Sequence, residues 1–398
     1  MTIATAPSSA SGQAAEPLRI LVATGGLIHL VHQLAVVVAL PEVAALPAVL
    51  AGRNASGPVA PPTIGVWLTG VIRNDPSALA ALETAIERWL VLLRRQRPAD
   101  FGAIRLLPQG PGGAAEGWEL LCLNNQWQQL QRQPLELPSI RQLVVCGDGL
   151  GIYYRCAREL RAILPSLLNR PIAEPERQVR YVLSGRQPLW HRPPRRVIQA
   201  PLDDRAQLFA LLVQSQRAAA QPLLEFCLTA TDAQRPLWIC SVPNLAHQFS
   251  GRRIPFSVLV SWQRQLQRQQ GFDPTRDRLL LIDHPKAPVD GSFGTIKLPW
   301  LAGPLRSAMS LEVMVRLLEE RRPGGRIVVA GLTSALYGVR QLTTAEVSWL
   351  GLAPLWRHNP LYRRQPLEFL HRCLRASRMA WLTNSGPLQP GQRGGKRS

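Results

Sequence analysis

Apolar residues along this chain fall in short β-branched runs alternating with stretches of helical spacing. Residues 19–24 (RILVAT) predict a strand stopped by Gly25 and Gly26, and residues 27–40 predict the helix that follows it. Residues 63–72 (TIGVWLTGVI) predict a second strand, after which Pro76, just beyond Asn74 and Asp75, opens a helix to about Arg95. A short strand is expected at 103–107 and a stronger one at 141–146 (RQLVVC), which runs into Gly147, Asp148 and Gly149. Leu160, Ile163, Leu164, Leu167 and Leu168, three and four apart, mark one face of the next helix.

Between Asn169 and about Asp204 the chain turns rich in Pro and Arg, including residues 191–196 (HRPPRR), which suit neither a helix nor a central strand. An interdomain linker is expected there, at 186–204. Beyond it the alternation resumes: helix 205–219, strand 237–242, helix 254–270, strand 278–283, helix 310–321 and strand 326–330. A short helix near Ala335, a basic helix at 366–378, an apolar segment at 379–383 and a Gly- and Arg-rich tail complete the chain. Two successive βαβ series predict an α/β protein with two Rossmann-like parallel-sheet domains facing a cleft, the GT-B layout. The expected boundaries are a disordered leader at 1–17, an N-terminal acceptor-side domain at 18–185, the linker, a C-terminal nucleotide-sugar-binding domain at 205–384, and a disordered basic tail at 385–398.

Length agrees with two cores, since 398 residues exceed what one usually holds. The formal charge of +20 favours anionic partners, yet 43 of the 46 basic residues are arginine, so the charge reflects composition and selects no partner by itself. Six cysteines form no C-x-x-C pair, and reduced thiols in a cytosol are expected. The N-terminus lacks the basic and apolar regions of a signal peptide. The apolar stretch 34–50 is interrupted by Pro41, Glu42 and Pro47, so no transmembrane helix is expected. No G-x-G-x-x-G or Walker A cradle follows any predicted strand.

Three groups lie where predicted strands end, which is where α/β proteins place working residues. Asp148, held between two glycines, suits a base, or else caps the next helix. His284, with Pro285 ending its strand and Lys286 beside it, suits a phosphate oxygen, or is an ordinary strand-end histidine. Thr333 and Ser334 place hydroxyls at a helix N-terminus, a seat for phosphate or a plain N-cap. His29 and His32 have no third ligand at metal-site spacing and read as core or cleft histidines.

The order Asp148-Gly149, His284-Pro285, Thr333-Ser334 resembles the bacterial sialyltransferases, and most closely the alpha-2,8-polysialyltransferase-like proteins of GT-B type. Their pattern is an acidic-Gly motif, then His-Pro, then paired hydroxyls. The opening residues 22–26 (VATGG) resemble the family's first βα unit, and Glu312 stands where the family places an acidic residue on the nucleotide side. The chain departs from the pattern in having Gly147 for a first acidic residue, Thr-Ser for the hydroxyl pair, and Asp283 before His-Pro.

The resemblance implies an inverting glycosyltransferase that needs no metal and no cofactor, moving sialic acid or a related sugar from a CMP-sugar to a glycan or glycolipid acceptor. It implies Asp148 and His284 as catalytic residues, and Thr333, Ser334 and Lys286 on the nucleotide phosphate. Glu312 and Pro285 are then at the ribose and base, and Gly25 and Gly149 line the cleft. The expected setting is cytoplasmic, with peripheral contact at an anionic inner membrane through the basic segment 356–378 as an added possibility. Nucleic acid is not an expected partner, because the usual module signatures are absent. The rival readings are a CDP-glycerol-type phosphotransferase and a non-catalytic protein that binds nucleotide or nucleic acid.

Overall fold

The computed structural model describes residues 17–39, 61–69, 76–111, 117–123, 140, 142–147, 178–184, 197–200, 202–242, 254–283, 292–294, 296–306, 309–333, 335–351 and 354. Seven strands form one sheet: β1 (Arg19–Thr24), β2 (Thr63–Leu68), β3 (Ala103–Leu106), β4 (Leu120–Leu123), β5 (Gln142–Gly147), β6 (Gln178–Ser184) and β7 (Val197–Ala200). Five form a second: β8 (Leu237–Ser241), β9 (Leu279–Asp283), β10 (Leu301–Arg306), β11 (Ile327–Gly331) and β12 (Glu346–Trp349). The helices are α1 (Leu27–Ala39), α2 (Pro76–Gln96), α3 (Pro98–Phe101), α4 (Leu202–Thr229), α5 (Phe256–Gln270), α6 (Leu311–Arg321) and α7 (Ala335–Leu342).

Every strand pairing is parallel. Strands covered on both faces must be apolar throughout rather than alternating, and β4 (LLCL), β8 (LWICS) and β11 (IVVAG) are buried at every position. The first sheet runs β3-β2-β1-β4-β5-β6-β7 and the second β10-β9-β8-β11-β12. Both orders reverse after the third strand, between β1 and β4 and between β8 and β11. Beyond the carboxyl ends of such a pair, connections leave in opposite directions and open a crevice where doubly wound sheets bind ligands.

Helix α4 packs against α1, α2 and α6. Its buried Leu208, Leu212 and Leu224 belong to one apolar cluster that takes in residues of β1 and β2 as well as β8 and β11. Polar contacts reinforce it on both sides: Gln216 Nε2 donates to the Ala85 carbonyl of α2 at 3.0 Å, and Arg217 pairs with Glu320 of α6 at 2.7 Å. On its other face the second sheet packs against α5, with Trp238 and Phe272 edge to face at 5.3 Å.

The α/β class, the parallel sheets and most strand positions match the sequence expectation. The linker does not. Val197–Ala200 lies inside its expected bounds but pairs with β6 as the edge strand β7, and α4 already begins at Leu202. Four residues suffice for an edge strand, and the Pro- and Arg-rich composition around them masks so short a signal. Strands β4, β6, β10 and β12 were likewise not anticipated. No helix among the described residues is long and apolar enough to cross a membrane. The leader, the helix around 160–168, the basic segment 356–378 and the tail lie outside the described residues.

Candidate functional site at the carboxyl edges of the two sheets

In the second sheet the reversal between β8 and β11 is tight. A Cβ on Gly331, the last residue of β11, would come within 2.5 Å of the Ser241 carbonyl oxygen at the end of β8, so the strands approach closely only because residue 331 has no side chain. Two residues on, the Thr333 hydroxyl accepts from the Ala335 amide at 3.2 Å, and the Thr333 carbonyl accepts from Leu336 at 3.2 Å. Thr333 therefore caps α7. Its hydroxyl proton remains able to donate to a ligand oxygen.

The chain from β10 returns antiparallel to the strands through α6, so the first turn of α6 lies at this same edge. Ser310 caps it, accepting from the Val313 amide at 3.4 Å. Glu312 follows, 3 % exposed, with its carboxyl group enclosed between α6 and α7 against Gly338. Loss of water raises its pKa to about 7, against smaller lowering from its own backbone amide and the Ser310 hydroxyl.

At the end of β9, Asp283 is 2 % exposed. One carboxylate oxygen, Oδ2, accepts from the Ser292 amide at 3.0 Å, while Oδ1 has no hydrogen-bond partner. Neighbouring Cys240 on β8 is pushed up to about 12, first by burial and then by the Asp283 charge. Asp283 thus ties the end of β9 to the return of the chain at Ser292.

In the first sheet, β1 ends in a turn at Gly25 and Gly26. The Thr24 hydroxyl donates to the Gly26 carbonyl at 3.0 Å, and that carbonyl accepts from Leu30 to begin α1. Gln33, wholly buried, extends from α1 across the reversal: its Nε2 donates to the Ala23 carbonyl of β1 at 2.8 Å and the Cys122 carbonyl of β4 at 3.2 Å. Cys122 and Cys146 meet at 3.3 Å between β4 and β5 as free thiols. His29 and His32 are drawn into the interior, as expected of core or cleft histidines. Burial lowers His29 to about 4, and burial, Arg205 and His29 together hold His32 well below 6.5.

The structure brings Thr333 and Glu312 to one edge of the second sheet, on helices that pack together, and places Gly25 at the corresponding edge of the first. Asp148, Gly149, His284, Pro285, Lys286 and Ser334 lie outside the described residues. Sequence reasoning passed over Gln33 and the buried contact of Asp283. The signal for Gln33 was available: three polar residues, His29, His32 and Gln33, interrupt an otherwise apolar helix. No protein-family model matches the chain, and comparison with curated proteins gives no significant match.

Proposed function

We propose that this chain is an inverting, sialyltransferase-like glycosyltransferase that moves sialic acid or a related sugar from a CMP-activated donor to a glycan acceptor, with its two sheets in domains that face a common cleft. One observation carries the reading. Strands β5, β9 and β11 end at Gly147, Asp283 and Gly331, directly before Asp148, His284 and the sequence Leu332-Thr333-Ser334. All three motifs thereby follow carboxyl ends of parallel strands, where this architecture binds ligands.

In the proposed reaction the acceptor hydroxyl oxygen forms a bond to the anomeric carbon from the face opposite CMP, and the bond to the CMP phosphate oxygen breaks with its electron pair. Asp148 takes the hydroxyl proton. His284, with Lys286 beside it, donates to the departing phosphate, and Thr333, Ser334 and the N-terminus of α7 hold its oxygens. Glu312, expected at the ribose, is instead buried against Gly338 and acts from inside the α6–α7 packing, holding the first turn of α6 against α7.

Thermal shift of the full chain with CMP, CDP and UDP tests the nucleotide assignment, since a ligand bound by the native state raises its melting point. CMP is expected to give the largest shift. Asp148→Ala and His284→Ala are then expected to lower turnover of CMP-N-acetylneuraminate by at least about 100-fold while keeping the CMP shift of a folded protein. Full turnover in both variants, or preference for UDP, overturns the reading. Release of CMP together with transfer of glycerol phosphate from CDP-glycerol would favour the phosphotransferase instead.

A further inference from the structure

Two hydrogen-bonded turns stand at the amino ends of the adjacent strands β8 and β9. Between α4 and β8 the chain turns at Asp232, whose Oδ1 accepts from the Gln234 amide at 2.9 Å and whose carbonyl accepts from the Arg235 amide at 3.1 Å. Between α5 and β9 it turns at Asp273, whose Oδ1 accepts from the Thr275 amide at 3.0 Å and the Thr275 hydroxyl at 2.7 Å. The Asp273 carbonyl also accepts from the amides of Arg276 and Asp277 at 3.1 and 2.7 Å. One ion pair ties the two turns together. Arg235 Nη2 stands 2.7 Å from Oδ1 of Asp277, whose side chain is 1 % exposed and whose Oδ2 accepts from the Asp273 amide at 2.8 Å. Arg322 braces the first turn, its Nη2 donating to the carbonyls of Ala233 and Arg235 at 2.7 and 2.6 Å.

These turns and the end of α4 enclose a cavity of about 350 Å³, within the size range of small-molecule sites. Its charged lining is unevenly committed. Arg235 and Asp277 satisfy each other, and the charge of Asp232 bears on Arg322. Asp273, beside the cavity, is close enough to Arg276 and Arg235 to be influenced by their charges but forms an ion pair with neither. Among the described residues the side chains of Arg276 and Arg278, both exposed, make no hydrogen bond or ion pair. Two guanidinium groups with unspent donors therefore line one cavity, carried at the turn that the buried Arg235–Asp277 pair fixes. The other polar lining is of opposite character. The hydroxyls of Thr229 and Thr231 donate to the Glu225 and Cys227 carbonyls at 2.9 and 3.1 Å, which leaves their oxygens as acceptors, and the last turn of α4 holds no basic residue.

We propose that this cavity binds a phosphorylated polyol or sugar, with Arg276 and Arg278 holding the phosphoryl oxygens and Thr229, Thr231 and Asp232 accepting from the hydroxyl groups of the body. A guanidinium fork takes two oxygens at once, so a carboxylate occupies one fork, whereas the three terminal oxygens of a phosphoryl group can meet two. The hydroxylated body follows from the acceptors, which a bare anion with no proton to donate leaves unused. Because the turns are already hydrogen-bonded, binding has only the two arginine side chains to order. The cavity lies at the amino ends of β8 and β9, the opposite edge of the sheet from Thr333 and the first turn of α6, so the proposal does not depend on the transferase reading.

The experiment is calorimetric titration of the full chain at pH 8 and low ionic strength with glycerol 3-phosphate, ribose 5-phosphate and glucose 6-phosphate, against inorganic phosphate and glucose as controls. At least one ester is expected to bind at least about fivefold more tightly than inorganic phosphate, and glucose not at all, with affinity falling as sodium chloride is added. Arg276→Gln and Arg278→Gln are each expected to weaken the ester at least about fivefold, and the double variant to abolish measurable binding. Both side chains are exposed and outside any ion pair, so the urea midpoints of these variants should match the parent, which separates loss of the site from loss of the fold. The proposal is overturned if no ester binds, if inorganic phosphate binds as tightly as every ester, since the acceptors then contribute nothing, or if the double variant binds the ester as the parent does, since the ligand then sits elsewhere.

Discussion

The carboxyl group of Glu312 on α6 packs against the bare Cα of Gly338 on α7. A Cβ at residue 338 would overlap Glu312 Oε1 and stand 3.0 and 3.1 Å from Cγ and Cδ. Glycine in the second turn of a helix is otherwise unfavourable, so its presence is explained by the buried side chain it accommodates.

Gly338→Ala sets these effects against each other. Helix propensity favours alanine by about 1 kcal/mol, while overpacking against a buried side chain costs about 1–3 kcal/mol. The expected outcome is net destabilisation in urea, together with a smaller thermal shift from CMP as the capped ends of α6 and α7 move apart. In a Glu312→Ala background the overlap is gone and the same substitution should stabilise. Equal effects in both backgrounds would show that the two residues do not interact.

The raised pKa of Glu312 gives a pH dependence of definite sign. Below about pH 4.5 the group is protonated in both folded and unfolded chains. As pH rises toward about 7 the unfolded chain ionises first, so stability is lost across that window and the loss is constant above it. Glu312→Gln removes the loss. Urea titrations should find it close to the parent at pH 4.5 and more stable at pH 8, by on the order of 3 kcal/mol. A parent and variant with parallel pH profiles would contradict the burial.

At the β8–β11 reversal the fold depends on Gly331 in a different way. The obstacle to a side chain there is the Ser241 carbonyl, backbone that cannot rotate aside. Gly331→Ala must separate the strands, with an expected cost of about 3 kcal/mol, at or above the upper end for overpacking. The parallel pairing Gly331↔Ser241 also lies next to the Thr333 cap, so hydrogen exchange of the Ala335 and Leu336 amides should accelerate in the variant. Unchanged exchange there would separate the cap from the strand register.

Much of this architecture is written in local pattern. The runs RILVAT, LWICS, LLLID and IVVAG are apolar without alternation, as parallel strands covered on both faces require, and each was legible as a strand. Strands at or near the sheet edges were harder. Val197–Ala200 and Glu346–Trp349 are four residues long, and the pairing that makes them strands comes from β6 and β11, not from their own composition. The candidate site divides similarly. Thr333 could be placed because a glycine, a hydroxyl and a helix start follow one another in sequence. The neighbour of Glu312 could not, because Gly338 is brought to it by helix packing, and neither could the partners of Gln33, which lie on two strands far apart in the chain.

Gln33 supplies the most direct test of how the first crevice is held. Its two donor bonds join the backbone of β1 to that of β4. Gln33→Leu keeps the volume but withdraws the donor from two buried carbonyls, an expected loss of about 1–3 kcal/mol. Gln33→Ala withdraws it and leaves a cavity as well, so it should be the less stable of the two. The separation between these variants reports the packing, and the separation between Gln33→Leu and the parent reports the hydrogen bonds. If Gln33→Leu matches the parent, the carbonyls are satisfied without the side chain, and the bridge across β1 and β4 contributes nothing to holding the crevice in shape.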